Sequence, residues 1–386
     1  MPSIGALTRA AKAAKDAKAA KDAKAAKPRA RPAAPNLRPS GENLFDLSKL
    51  DQVPDVPQTP MERYVPMHGP SERVADLFAN KSVRKKVEGV VDAGAAEGGA
   101  KWYNTDPLMA AFVDALGPEE GMAAYRRYME IVAATSPRSR VPDNIRNASY
   151  YYGLDRQGAD LPDLDNIPRP YGHLAQSNHQ DNVRTVIDNN GWDVLKNPKP
   201  ASFAANLVGN QVPVTVDAHA LKLPALLAKD PRWLATSMRI GKPGAYTTLR
   251  PQKMLADGEI TLKGALSRPA LWDSKPRERE YGTMEELYTE IGEKKGMTPA
   301  QTQASAWIGG RNTTGMDSPP SPFMELFQQK VIETARKRGE NPLDTLQKFI
   351  SGEAPLLAKG GQVKRPPGLF KKGGHVGGAL AYQRDC

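Results

Sequence analysis

The sequence predicts a mostly α-helical protein with long loops and two disordered basic tails. Three observations carry this reading. Apolar residues recur at i, i+3 and i+4 through residues 61–351. Alternating strand patterns are nearly absent there. Sequence rich in Ala, Lys, Pro or Gly fills both ends. The chain therefore divides into an arm and linker over 1–60, a helical domain over 61–351 and a Gly/Lys-rich tail over 352–386.

Helical spacing starts with Val74, Leu77 and Phe78. Residues 119–134 put Met122, Tyr125, Met129 and Val132 on one face. Asp143-Asn144-Ile145 starts the next helix. Residues 178–190 align Val183, Val186 and Ile187, with Gly191 as a stop, and residues 199–208 offer Phe203 and Leu207 before Gly209. Thr298-Pro299-Ala300-Gln301 is a capping box with Pro at the first helical position. Its helix is expected to stop at Gly309-Gly310. Phe323, Leu326, Phe327 and Val331 continue the pattern. Asn341-Pro342 opens a last helix, with Leu343, Leu346, Phe349 and Ile350 inside and Gly352 after it. The best strand candidate is Val212-Pro213-Val214-Thr215-Val216, weakened by Pro213. Residues 153–176 and 309–322 read as Pro-rich connections.

Composition excludes several classes of function. The single cysteine, Cys386, allows no internal disulfide, cysteine zinc site or iron–sulfur cluster. His68, His173, His179, His219 and His375 have no paired ligand spacing, so no metal and no cofactor are expected. No apolar run reaches the roughly 18 residues of a membrane span, and no apolar stretch near Met1 reads as a secretory signal.

The net charge of +11 is unevenly placed. Residues 1–40 carry +8 and residues 352–386 carry +4, which leaves 41–351 at −1. Lys12, Lys15, Lys18, Lys21, Lys24 and Lys27 recur every third residue, a step that drifts about 60° per repeat on a helix. They wrap the cylinder without leaving an apolar stripe. Such an arm is either a solvated helix or disordered chain, or a contact for nucleic acid through counterion release. Seven prolines over 28–60 then read as a linker.

The densest signal is KNPKPASFAANLVGNQVPVTVDAHA at 196–220. It resembles the second half of the helix–hairpin–helix DNA glycosylase domain, the endonuclease-III-like group. In that family a lysine opens an apolar helix, and an extended segment then delivers an Asp in a Val-Asp-Thr-His context. Here Lys199 opens the run and Val216-Asp217-Ala218-His219 closes it, 18 residues later. Upstream, Ile131 to Arg138 resembles the segment where the family's early helix ends in a substrate-facing loop. The likeness covers about 120–230.

The resemblance implies a base-flipping DNA enzyme, with Asp217 stabilising positive charge on the sugar and Lys199 forming a Schiff base. It implies nucleic-acid contacts at Arg138, Lys196 and His219. The family's hairpin is glycine-rich. The matching Val194-Leu195-Lys196-Asn197-Pro198 is not, so Lys196 is the charge left to meet a phosphate. Tyr150-Tyr151-Tyr152 is either a base-stacking run or core. Lys359-Gly360-Gly361-Gln362-Val363 and Lys372-Gly373-Gly374-His375-Val376 repeat thirteen residues apart. With the Ala/Lys-rich start, they resemble tails of bacteriophage virion-associated proteins. Two functions stand open: a phage nucleic-acid enzyme or its degenerate relative, and a non-enzymatic virion protein. The expected partners are DNA, bound non-specifically through the tails, and other virion proteins. The expected location is the host cytoplasm or the virion. Asp217 also has a plain reading as the N-cap of the following helix.

Overall fold

The computed structural model describes residues 44–45, 55–58, 79–137, 139–163, 166–167, 177–189, 191, 198–217, 220, 223–224, 227–228, 278–314 and 321–356. The chain divides into two units, Met1–Asn43 and Leu44–Cys386, and every described residue belongs to the second. The helix expected from Val74, Leu77 and Phe78 and the tail repeats lie outside the described residues.

Among the described residues every regular element is helical. Ten α-helices follow in order: α1 (Lys81–Ala96), α2 (Asp106–Leu116), α3 (Pro118–Ala134), α4 (Val141–Arg156), α5 (Ser177–Asp188), α6 (Pro198–Leu207), α7 (Glu278–Lys295), α8 (Pro299–Thr314), α9 (Phe323–Arg338) and α10 (Pro342–Ile350).

Their boundaries follow from local chemistry. Asn80 caps α1 by accepting from Ser82 N–H at 3.0 Å. The expected box opens α8: Thr298 N–H donates to Gln301 Oε1 at 3.0 Å, and Gln301 N–H donates to Thr298 Oγ1 at 3.2 Å. Asn341 caps α10 through Leu343 N–H at 2.8 Å. Asp143 starts no helix: α4 begins two residues earlier, with Pro142 in its first turn.

Helix α3 lies at the centre, against α2, α4, α5 and α6. Its Tyr125, Met129 and Val132 are buried as the spacing predicts. Tyr128 adds a ring 4.8 Å from Phe349 and 5.6 Å from Tyr152. Tyr150, Tyr151 and Tyr152 are all buried, so the run is core. A second apolar cluster joins Val83, Val87, Val90 and Val91 of α1 to Tyr281, Met284, Leu287, Tyr288 and Ile291 of α7. Val214 and Val216 belong to it. The 212–216 run forms no strand: it bends at Val212 and Pro213, and Val216 N–H turns back to Val214 O at 3.0 Å.

Two expected stops are not stops. Helix α8 passes through Gly309-Gly310 to Thr314. A Cβ at Gly309 would lie 2.1 Å from Val90 O, and one at Gly94 would lie 1.8 Å from Ser305 O. These glycines let the α1 and α8 backbones touch. Helix α4 likewise continues through Gly153 to Arg156, which shortens the connection placed at 153–176. Across the same side of the molecule, Lys294 pairs with Glu88 and Arg84 with Glu290, tying α7 to α1.

Candidate functional site

Helix α6 and the segment after it form the site. Ser202 and Asn206 are buried polar residues in an otherwise apolar helix. Lys199, Ser202 and Asn206 fall at i, i+3 and i+7, on one face. Asn206 is completely buried and bonds three ways. Its Nδ2 donates to Pro213 O at 2.7 Å and to Asn210 O at 2.9 Å, and its Oδ1 accepts from Thr215 Oγ1 at 2.8 Å. The chain after Gly209 therefore folds back along α6.

Tyr281 continues the clamp one turn closer to the helix start. Its hydroxyl donates to Val214 O at 2.7 Å, accepts from Val216 N–H at 3.1 Å and lies 3.1 Å from Ser202 Oγ. Residues 213 and 215 thus bond Asn206, while residues 214 and 216 bond Tyr281. Asp217 follows directly on this doubly held segment.

The segment is buried from Pro213 to Val216, and Asp217 is where it emerges, half-buried. Asp217 Oδ1 accepts from Ala220 N–H at 2.9 Å, the capping contact that its position before a helical run predicts. Two buried tyrosines stand within reach of its charge. Burial pushes both the Tyr103 and the Tyr288 phenol upward, and Asp217 pushes them further. Tyr103 donates to Gln303 Oε1 at 3.0 Å. Both phenols therefore stay neutral, and Glu285 Oε1 accepts from Val214 N–H at 3.2 Å in the same segment.

Lys199 is half-buried in the first turn of α6. Its closest titratable neighbour of note is His179 of α5. The His179 ring is fully buried, and Nε2 bonds the Pro137 carbonyl. A carbonyl only accepts, so Nε2 carries the proton and Nδ1 is a bare acceptor with no partner. Burial lowers the imidazole pKa, the Pro137 bond raises it, and the Lys199 charge lowers it again. Pro137 belongs to the turn after α3, so that turn and the Lys199 end of α6 meet through His179.

Residues 90–249 match the model of a family of unknown function (DUF7178). No curated protein and no solved structure matches the chain. The matched region holds Lys199, Asp217, Asn206 and His179 together. Tyr281, Tyr288 and Gln303 lie beyond it.

Of the sequence-predicted residues the structure describes Lys199, in the first turn of α6, and Asp217, at the end of the segment that follows that helix. Arg138, Lys196, His219 and the lysines Lys12 to Lys27 lie outside the described residues. Among the described residues no group of three or more His, Cys, Asp or Glu is placed to hold a metal, and no helix is long and apolar enough to cross a membrane. Sequence reasoning missed Asn206, Tyr281 and His179. For Asn206 the signal was available: a polar side chain four residues after Ser202 inside an apolar helix.

Proposed function

We propose that this is a phage-encoded protein whose helical domain engages DNA through a glycosylase-like segment, with Asp217 as carboxylate and Lys199 as amine. One observation carries the reading. The segment after α6 is bound back onto Asn206 and Tyr281, and Asp217 follows directly on it. Breaking an N-glycosidic bond builds positive charge on the sugar. A carboxylate fixed beside it stabilises that charge and activates water. A neighbouring amine in its neutral form instead attacks the sugar carbon as the base leaves with a proton, and opening of the ring C–O bond, its oxygen taking the amine's second proton, leaves a Schiff base. The basic arm supplies sequence-independent attraction to phosphate.

The test is incubation with duplexes bearing damaged or modified bases, followed by alkali and strand analysis. Cleavage that Asp217→Asn abolishes is the expected result. No product from any lesion overturns catalysis, as does full activity in Asp217→Asn.

A second reading, a non-enzymatic virion protein, is favoured by a different observation: Asp217 Oδ1 is already engaged as a cap on Ala220. Mass spectrometry of purified particles separates the two. Stoichiometric presence supports the virion role, and absence removes it.

A further inference from the structure

Two short stretches of the proline-rich N-terminal segment lie packed on the helical domain. Leu44 and Phe45 are buried, with the Phe45 ring 6.4 Å from Phe327 of α9. Val56 and Gln58 reach the turn after α6. Gln58 Nε2 donates to Gly209 O at 2.8 Å and to Val56 O at 3.0 Å, while Gln58 Oε1 accepts from Gln211 N–H at 2.8 Å. One side-chain amide thus satisfies a carbonyl and an N–H two residues apart, as a neighbouring strand would. Gly209 has φ +100°, which glycine adopts at no steric cost, and Val56 carbons stand 3.3–3.4 Å from where a Cβ would project. From the opposite side, Gln211 O accepts from Ala300 N–H at 3.2 Å, at the start of α8.

The turn at 209–211 is therefore held between an N-terminal strap and α8. It is also the origin of the candidate site's second part, because the chain leaves it to bond Asn206 and Tyr281 before Asp217. Asn206 and Tyr281 fix the register of the returning segment, and the strap fixes its origin. We infer that residues 56–58 position the segment carrying Asp217, with Gln58 as a positioning residue that acts through Gly209 and Gln211. The inference rests on the proposed function only in taking Asp217 as the working carboxylate.

The consequence is specific. The site depends on a part of the chain that composition alone assigns to a linker. Gln58 is exposed, so losing its bonds releases the turn without unfolding the domain.

The experiment is residue-resolved amide hydrogen exchange on the full chain, comparing wild type, Gln58→Ala, Gln58→Asn and Asp55→Ala. The Asn side chain is one methylene too short to span both backbone groups. Exchange at Gln211 reads the clamp itself, and exchange at Ala220, whose N–H bonds Asp217, reads the site. In Gln58→Ala and Gln58→Asn both amides are expected to exchange about tenfold faster, with α1 and α8 unchanged and the melting temperature within about 3 °C of wild type. Asp55→Ala is expected to match wild type. Faster exchange at Gln211 with Ala220 unchanged overturns the inference, and so does uniform acceleration across the domain. Where the lesion assay gives product, Gln58→Ala is expected to lower kcat with KM unchanged. A chain inactive on every duplex whose Ala220 is still released by Gln58→Ala loses the enzymatic reading and keeps the strap.

Discussion

Asn206 accepts a hydrogen bond from Thr215 Oγ1 at 2.8 Å while donating to the Pro213 and Asn210 carbonyls. One buried amide therefore uses donor and acceptor together to hold the segment after α6 on that helix. Removing it takes one partner each from the Pro213 and Asn210 carbonyls and the Thr215 hydroxyl. Asn206→Ala is expected to cost about 2 kcal/mol, since each buried group that loses its partner costs about 1–3 kcal/mol. Asn206→Asp keeps the bond from Thr215 but sets a carboxylate against two carbonyl oxygens, and is expected to cost at least as much. Urea denaturation of both variants checks this, and a loss below about 1 kcal/mol contradicts the clamp.

One glycine of α8 and one of α1 give a paired prediction. Gly309→Ala drives a methyl to 2.1 Å from Val90 O, so it is expected to cost about 3 kcal/mol or more. Gly89 sits in the middle of α1 with nothing within 4 Å of a Cβ. Gly89→Ala is expected to stabilise by about 0.5–1 kcal/mol. Thermal melts of the two variants shifting in opposite directions confirm the close crossing, and a neutral Gly309→Ala removes it.

Gly309 also marks where the sequence stops being legible. Helical class, the Thr298 capping box and the Asn341 start are local properties and read directly from composition and spacing. A Gly-Gly pair is ambiguous, because it ends a helix or admits another backbone, and only the partner Val90 decides between the two. The candidate site divides in the same way. Lys199 and Asp217 were readable as a spaced pair. The groups that position them, Tyr281 and Gln58, come from residues far away in the chain, so no local pattern announced them.

His179 predicts a pH dependence. Its folded pKa lies below the ordinary value of 6.5, from burial first and the Lys199 charge as well. The unfolded chain therefore binds a proton that the folded chain excludes. Stability from this group is full above about pH 6.5 and is lost as pH falls toward the folded pKa. Denaturant midpoints measured from pH 7.5 to 5.5 are expected to fall in wild type, to flatten in His179→Asn and to fall slightly less steeply in Lys199→Met. An equal slope in wild type and His179→Asn contradicts this role for the ring.

The arm predicts a salt dependence. Residues 1–40 carry six regularly spaced lysines and a charge of +8. Each duplex phosphate they neutralise adds about 0.9 to the slope of log affinity against log salt. Deleting residues 1–40 is expected to flatten that slope by several units while leaving the domain folded. An unchanged slope makes the arm a spectator.

The central claim is that Lys199 and Asp217 face one reacting sugar. Borohydride reduction of the full chain with a duplex holding an abasic site, followed by peptide mapping, tests it most directly. The account predicts a covalent adduct on Lys199 that grows weaker in Asp217→Asn. Adducts confined to the arm lysines Lys12 to Lys27, or no adduct at all, would contradict it.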